Sequence, residues 1–347
     1  MKKQQKKVTI EDIAKMTGYS RGTVSRAFNQ SVEINKDTRR KVLEAARKLN
    51  YFPNPSARGL AKGRSECIGI VVPDLKNPFL AELVSNMETA ARQHGFSAIL
   101  GIIDNSPEQQ ESILMRMASG QVDGIIITPC EHPDSIRQLN WINSRIPVIS
   151  LKYFDGLDSD TVMSNDKMAV RMVLNHLVSS GHKKIAFVCP EAPKWSVKDR
   201  TDAYENALEM MGIEYQTRIK CPNIESHEDS SILAPVVDKL IKLKKDQQVS
   251  AILAYDDIIA LHLIKKLQKR GLKVPEDFAV AGIDNISFGQ LGAVALTSAA
   301  AEAGRLCEVA MEMLISRLKN KEQDEIRNIT LKAKLYQRES TDFKYIS

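Results

Sequence analysis

From residue 67 onward the chain alternates short apolar runs with stretches of helical periodicity, and this alternation limits the fold more than any other feature. The runs are CIGIVVP, SAILGII, DGIIITP and PVISL, then KKIAFVCP, SAILAY and FAVAGIDN. The intervals between them predict helices over 79–94, 107–119, 133–144, 166–180, 197–211, 230–245 and 257–270, with a weak strand near 218. Strands buried on both faces read as nearly continuous apolar runs, and parallel neighbours need a helical crossover between them. A break near Asn165 divides the pattern into two series. The expectation is an α/β body over 65–347 made of two interleaved, doubly wound parallel-sheet subdomains.

Charge separates this body from what precedes it. The chain of 347 residues carries a formal +6, but the first 64 residues hold sixteen Lys and Arg against five acids, a net +11, which leaves −5 on the remainder. A basic head on an acidic body suits a polyanion partner, with a membrane surface as the competing reading. The opening KKQQKK is followed by VTIEDIAKM, whose charges interrupt the apolar core a secretory signal requires, and no run is long enough to span a bilayer. Cys67, Cys130, Cys189, Cys221 and Cys307 lie far apart with no CxxC pair, which argues against a disulfide framework or a zinc site and predicts a reducing cytoplasm.

Within residues 1–53, Thr9 caps a first helix that has Asp12 where a capping box needs its acid and apolar residues at 10, 13 and 14. Thr17-Gly18-Tyr19 breaks it, and Ser20 caps a second helix in which Val24 and Ala27 or Phe28 face inward while Arg21, Gly22, Thr23, Ser25 and Arg26 face outward. A third helix from about Asn35 to Leu49 closes a small core with Val42, Ala45, Ala46 and Leu49. Two helices and a turn also serve as a protein-binding bundle. Arginines, small hydroxyls and a glycine on one exposed helix face are what entry into a major groove needs, with Arg21 and Arg26 reaching guanine edges and Thr23 and Ser25 meeting phosphates. The segment NPSARGLAKG then opens with helix-start signals, yet Gly59 and Gly63 keep it too short to be stable alone. A flexible linker and a helix that folds only on a partner are both open at this point.

The run VTIEDIAKMTGYSRGTVSRAFN, followed by TRRKVLEAARKLNYFPNPSARGLAKG, resembles the N-terminal domain of the lactose-repressor/galactose-repressor (LacI/GalR) family of bacterial transcription regulators, without a gap. The resemblance implies a homodimeric repressor on pseudo-palindromic double-stranded operator DNA. The DNA-contacting positions it implies are Thr9, Ser20, Arg21, Gly22, Thr23, Ser25, Arg26 and Asn29, joined by Asn54, Ala57, Arg58, Leu60 and Lys62 from a hinge helix within 54–64. Leu60 is implied as a wedge in the minor groove, so that hinge folding is coupled to DNA binding.

In doubly wound sheets ligands sit beyond the carboxyl ends of the strands. The residues to inspect are therefore Asp74 and Phe79, Thr128, Lys152, Asp256 and Asp284. The segments GIVVPDLKNPF, VDGIIITP, HLVSSGHKKIAFV, AYDDIIA and VAGIDN resemble the same family and, through it, the periplasmic sugar-binding proteins. That resemblance implies a small sugar-like effector contacted by Arg200, Asp256 and Asp284 in a cleft lined by Asp74, Phe79, Thr128 and Ser164. It gives Asp257 a capping role and leaves Asp166, Gly181 and His182 structural. The plainer alternatives are cap or turn roles for Asp256 and Asp284 and a surface ion pair for Arg200. Three departures stand out: Lys152 replaces the family's usual aspartate, Asp256 its usual asparagine, and LGAVALTSAAAE is alanine-rich where the family more often shows prolines and a glutamine. If Lys152 and Arg200 both face the ligand, a sugar acid or sugar phosphate fits; the alternative is that Lys152 points outward or pairs with an acid.

A solute-binding protein is opposed by the basic head. An enzyme is opposed by the absence of Walker, GxGxxG, GxSxG and HExxH motifs and by six dispersed histidines. No cofactor or metal is expected, and the chain ends after LYQRESTDF without a heptad tail, which favours a dimer over a tetramer.

Overall fold

The structure, a computed structural model, describes residues 8–28, 34–52, 63–192, 194–214, 217–222, 230–319 and 325–342. The chain divides into two compact units, Met1–Ser65 and Glu66–Ser347.

In the first unit, α1 (Ile10–Thr17), α2 (Arg21–Phe28) and α3 (Lys36–Lys48) enclose Ile13, Val24, Ala27, Val42, Ala45 and Ala46. Each helix starts where its sequence supplies a cap. The Asp12 carboxylate accepts from the Thr9 backbone N–H and hydroxyl, both at 2.8 Å, the Ser20 hydroxyl accepts from Thr23 N at 3.1 Å, and Asn35 accepts from Asp37 N at 2.9 Å. α1 stops at Gly18, whose φ of 73° is the left-handed conformation that ends a helix most cheaply in glycine. The chain can therefore turn within two residues and lay α2 across α1.

The second unit holds two six-stranded sheets. Sheet one comprises β1 (Cys67–Val72), β2 (Ser97–Ile102), β3 (Gly124–Ile127), β4 (Val148–Ser150), β5 (Asp160–Ser164) and, from far along the chain, β11 (Asn328–Leu331), in the order β11-β5-β4-β3-β1-β2 and parallel throughout. Sheet two comprises β6 (Ile185–Pro190), β7 (Thr217–Cys221), β8 (Ala251–Ala254), β9 (Ala279–Ile283), β10 (Thr297–Ala300) and β12 (Lys334–Tyr336), in the order β12-β10-β9-β8-β6-β7, with only the edge strand β12 antiparallel. Helices cover both faces of each sheet, as all-parallel pairing demands. α4 (Pro78–Gln93) and α11 (Ala303–Lys319) bury Leu83, Met87, Ala310 and Leu314 against one face of sheet one, while α5 (Pro107–Arg116) and α6 (Pro133–Asn143) bury Ile113, Leu114, Leu139 and Ile142 against the other. α7 (Asp166–Ser179) and α8 (Trp195–Met210) cover one face of sheet two, and α9 (Ala234–Gln247) and α10 (Asp257–Lys269) the other. No helix among the described residues is long and apolar enough to cross a membrane.

The chain passes between the sheets three times, after β5, β10 and β11, and the three passages are tied together. Ala301 N donates to Ser164 Oγ at 3.3 Å, Asn165 N donates to Leu331 O at 2.9 Å, and Lys334 pairs with Glu302 at 2.8 Å. This arrangement places the carboxyl ends of both sheets against a common cleft. A buried carboxylate anchors the sequence-distant pieces of sheet one: Asp160, its side chain 1% exposed, takes Arg317 from α11 and Arg327 just before β11, each at 2.6 Å.

Candidate functional site

α2 presents the outward face that its sequence predicts. Arg21, Gly22 and Arg26 are exposed, Thr23 and Ser25 half-buried, and Val24 and Ala27 fully buried beneath them. Two hydroxyls of the predicted set are committed within the head, that of Thr9 to Asp12 and that of Ser20 to Thr23. Arg26 Nε reaches back to Gly22 O at 3.3 Å, so its guanidinium lies along the helix axis. Asn29, Asn54, Ala57, Arg58, Leu60 and Lys62, and with them the predicted hinge helix, lie outside the described residues.

In the second unit the predicted cleft residues of sheet two come together around Arg200. Its guanidinium, carried on α8, donates to Asp166 Oδ2 at 3.0 Å, to Tyr255 O at 2.6 Å and to Asp284 Oδ1 at 2.8 Å, and it lies 4.7 Å over the Tyr255 ring. Burial opposes the charge of Arg200, but Asp166 and then Asp284 keep it firmly protonated. Asp166 is therefore a partner in this cluster rather than a residue of purely local structural use. Asp284 adopts φ 102°, a conformation uncommon outside glycine, and Asn285 follows at φ 47°. Such backbone persists only where its surroundings hold it. Here the holding bonds are Asp284 N to Ala299 O, Asn285 N to Ser298 Oγ, and Arg338 to Asn285 Oδ1.

Of the two adjacent aspartates, Asp256 takes the cap role that is its plainer alternative, and Asp257 is not the cap. Asp256 is the N-cap of α10, accepting from Ile259 N at 2.8 Å, and its carboxyl is pushed up to about 6, first by burial and then by Asp284. Asp257 points into the core, where Ile286 N and Ser298 Oγ donate to it at 2.9 and 2.6 Å. Burial holds its carboxyl well above the ordinary range. Gly282 is required beside it, because a Cβ there would collide with the Asp257 carboxylate.

On the sheet-one side, Asp74 Oδ1 accepts from the backbone N–H groups of Lys76 and Asn77, so this carboxylate builds the loop into α4. Phe79 packs against the cores of both sheets. Thr128 is buried, with no hydrogen-bond partner for its hydroxyl among the described residues. Ser164 receives the Ala301 N–H at the passage between sheets. Lys152 forms an ion pair with Glu131. Of the two alternatives for Lys152 the structure has the pairing with an acid, and Arg200 is likewise paired, with two aspartates of the protein itself. Sequence reasoning passes over Glu131, Ser196 and Tyr255. A carboxylate four residues beyond β3 and a serine in the first turn of α8 were the available signals.

Models of two domain families match this chain, bacterial regulatory proteins of the lacI family over residues 9–54 and the periplasmic binding protein-like domain over 174–341. The HTH-type transcriptional repressor PurR of Mannheimia succiniciproducens is 30% identical over 315 residues, spanning 90% of this chain and 93% of the relative. The chain belongs to the LacI family. It is accordingly a DNA-binding transcriptional regulator and not an enzyme. Among solved structures, the lac repressor dimer bound to operator and the anti-inducer ONPF superposes with a TM-score of 0.83 over 97% of this chain and 99% of that one, at 24% identity. A LacI family transcriptional regulator from Enterococcus faecium with bound ribose gives 0.66 at 27% identity, over 79% of this chain and 98% of that one. The fold of this LacI-family chain is thus a helix-turn-helix head followed by two parallel-sheet α/β subdomains.

Proposed function

We propose that this LacI-family regulator is a cytoplasmic homodimeric repressor that reads a two-fold operator through Arg21 and Arg26 of α2, and whose operator affinity is set by a small molecule bound between its two α/β subdomains. The observation that carries the effector half is the polar cluster at the carboxyl end of sheet two. Arg200, Asp166, Asp284 and Asp256 gather there with a strained backbone at Asp284. Paired carboxylates and one oriented guanidinium suit the vicinal hydroxyls of a sugar.

An uncharged sugar fits better than an acid or a phosphate, since an added anion would have to displace Glu131 from Lys152 or the aspartates from Arg200. A purine effector is the second reading, favoured by the relatives named PurR. Against it, two aromatic rings near the cleft are already engaged: Arg200 covers the Tyr255 ring, and Phe154 packs on Trp195 with centroids 4.5 Å apart, which leaves the half-buried Phe79 as a ring for a flat base to stack on.

Thermal denaturation of the full chain against neutral sugars, sugar acids, sugar phosphates and purine bases tests this. A ligand at a hundredfold its Kd adds about 2.7 kcal/mol of stability. A neutral sugar is expected to raise the midpoint in the parent and not in Arg200→Met. A response confined to purine bases would replace the carbohydrate reading, and a response confined to acids or phosphates would overturn the argument from charge.

A further inference from the structure

Across the mouth of the cleft, sheet-one and sheet-two residues are joined by the protein's own side chains. Glu131, in the loop after β3, accepts from the backbone N–H and hydroxyl of Ser196 in the first turn of α8, at 2.9 and 2.8 Å. Lys152, from the loop after β4, holds the same carboxylate, and the Ser196 hydroxyl in turn accepts from Tyr255 OH at 2.8 Å. The chain of contacts therefore runs from one subdomain through Glu131 and Ser196 to the end of β8 in the other. Beside it Trp195 of α8 leaves its own sheet to pack into the core cluster of sheet one, against Phe154. A carboxylate at the first turn of a helix is favoured by the helix dipole as well as by the N–H bonds.

We propose that Glu131 is the latch of the cleft, fixing the closed pairing of the two subdomains through Ser196 and thereby regulating access to the site assigned to the effector. The inference rests on the proposed function only for the last clause, since the latch itself is a property of the closed cleft. Lys152 is the positioning residue. Where the family resemblance puts an aspartate at the end of this strand, the chain has a lysine, and that lysine holds the Glu131 carboxylate. Burial works against the Glu131 charge, but Lys152 and the two Ser196 donors bring its carboxyl below the ordinary range, so the latch stays ionised at neutral pH.

The chain contains its own reporter. Its two tryptophans are Trp141 and Trp195, and Trp141 lies on α6 under Arg145, away from the latch. In a Trp141→Phe full-length background, Glu131→Ala is expected to shift Trp195 emission to the red, increase its quenching by acrylamide and enlarge the radius of gyration by small-angle scattering. Ser196→Ala is expected to do the same to a lesser degree, because the backbone N–H remains. The double variant should go no further than Glu131→Ala alone, as residues acting through one contact do. Unchanged emission and quenching in a Glu131→Ala protein with native circular dichroism overturns the latch. If that variant does not fold, unchanged emission in Ser196→Ala overturns it equally. Operator affinity of the same proteins separates this inference from the reading it extends: release of Trp195 with operator affinity unchanged sustains the latch and removes the coupling of cleft to DNA binding.

Discussion

Asp256 carries two demands on one carboxylate. It caps α10 through Ile259 N, which favours the charged form, yet burial and the neighbouring Asp284 disfavour that form more strongly and push the carboxyl up to about 6. A folded-state value above the unfolded one means that the folded chain binds the extra proton. The protein then loses stability as pH rises from the ordinary carboxylate range through about 6. Asparagine caps a helix as well as aspartate and has no charge to bury. Asp256→Asn is therefore expected to melt progressively higher than the parent as pH goes from 4.5 to 7.5, and a constant difference across that range would contradict the assignment. Asp160 makes the opposite case, because Arg317 and Arg327 outweigh its burial and hold its carboxyl below the usual range. Removing a partner from a buried ion cluster costs about 3–5 kcal/mol. Asp160→Ala should lose that much by chemical denaturation, and a loss near zero would mean that the two arginines find water instead.

At the scale of elements, α2 is legible in the sequence because cap, apolar spacing and exposed arginines agree within eight residues. Arg26→Ala is expected to cost about 1–3 kcal/mol per lost guanine contact and to relax base preference at that position. Uniform weakening on all duplexes would reduce Arg26 to a phosphate contact. The strands that announce themselves are those written as continuous apolar runs, such as CIGIVV and AILA. β5, β10, β11 and β12 do not: DTVMS, TSAA, NITL and KLY are short and polar or alanine-rich, and only pairing with distant segments makes them strands. The site follows the same rule. Asp256 and Asp284 are readable because they follow strand ends and Arg200 only through the family resemblance, whereas Glu131 and Ser196 are connected by 65 residues of chain and by no local pattern. The sequence allows the cap at either Asp256 or Asp257, since side by side both aspartates satisfy the cap preference. Only the tertiary contacts to Ile286 and Ser298 decide which one turns inward. Gly282 belongs to that same contact, and Gly282→Ala should destabilise by about 1–3 kcal/mol through overpacking against Asp257. A stability equal to the parent would show that Asp257 can withdraw without cost.

For the molecule as a whole, the proposed function couples DNA reading by the basic head to a small molecule in the cleft. Linkage makes that joining measurable: a coupling of about 1–3 kcal/mol changes operator affinity by roughly 5- to 150-fold, and operator must change effector affinity by the same factor. The head supplies the anchor, so affinity should fall steeply with salt, by roughly a thousandfold between 50 and 200 mM for about six to ten phosphate contacts. Two heads on a two-fold dimer call for a pseudo-palindromic site, which sedimentation and footprinting of the complex would check. The most direct test is selection of bound duplexes from a randomised pool by the full-length parent and by an Arg21→Ala, Arg26→Ala variant. The account predicts that the parent enriches one two-fold-symmetric sequence and that the variant, still binding DNA through charge, enriches none. Recovery of the same sequence by both proteins, or of no sequence by the parent, would contradict the claim that α2 of this LacI-family chain reads an operator.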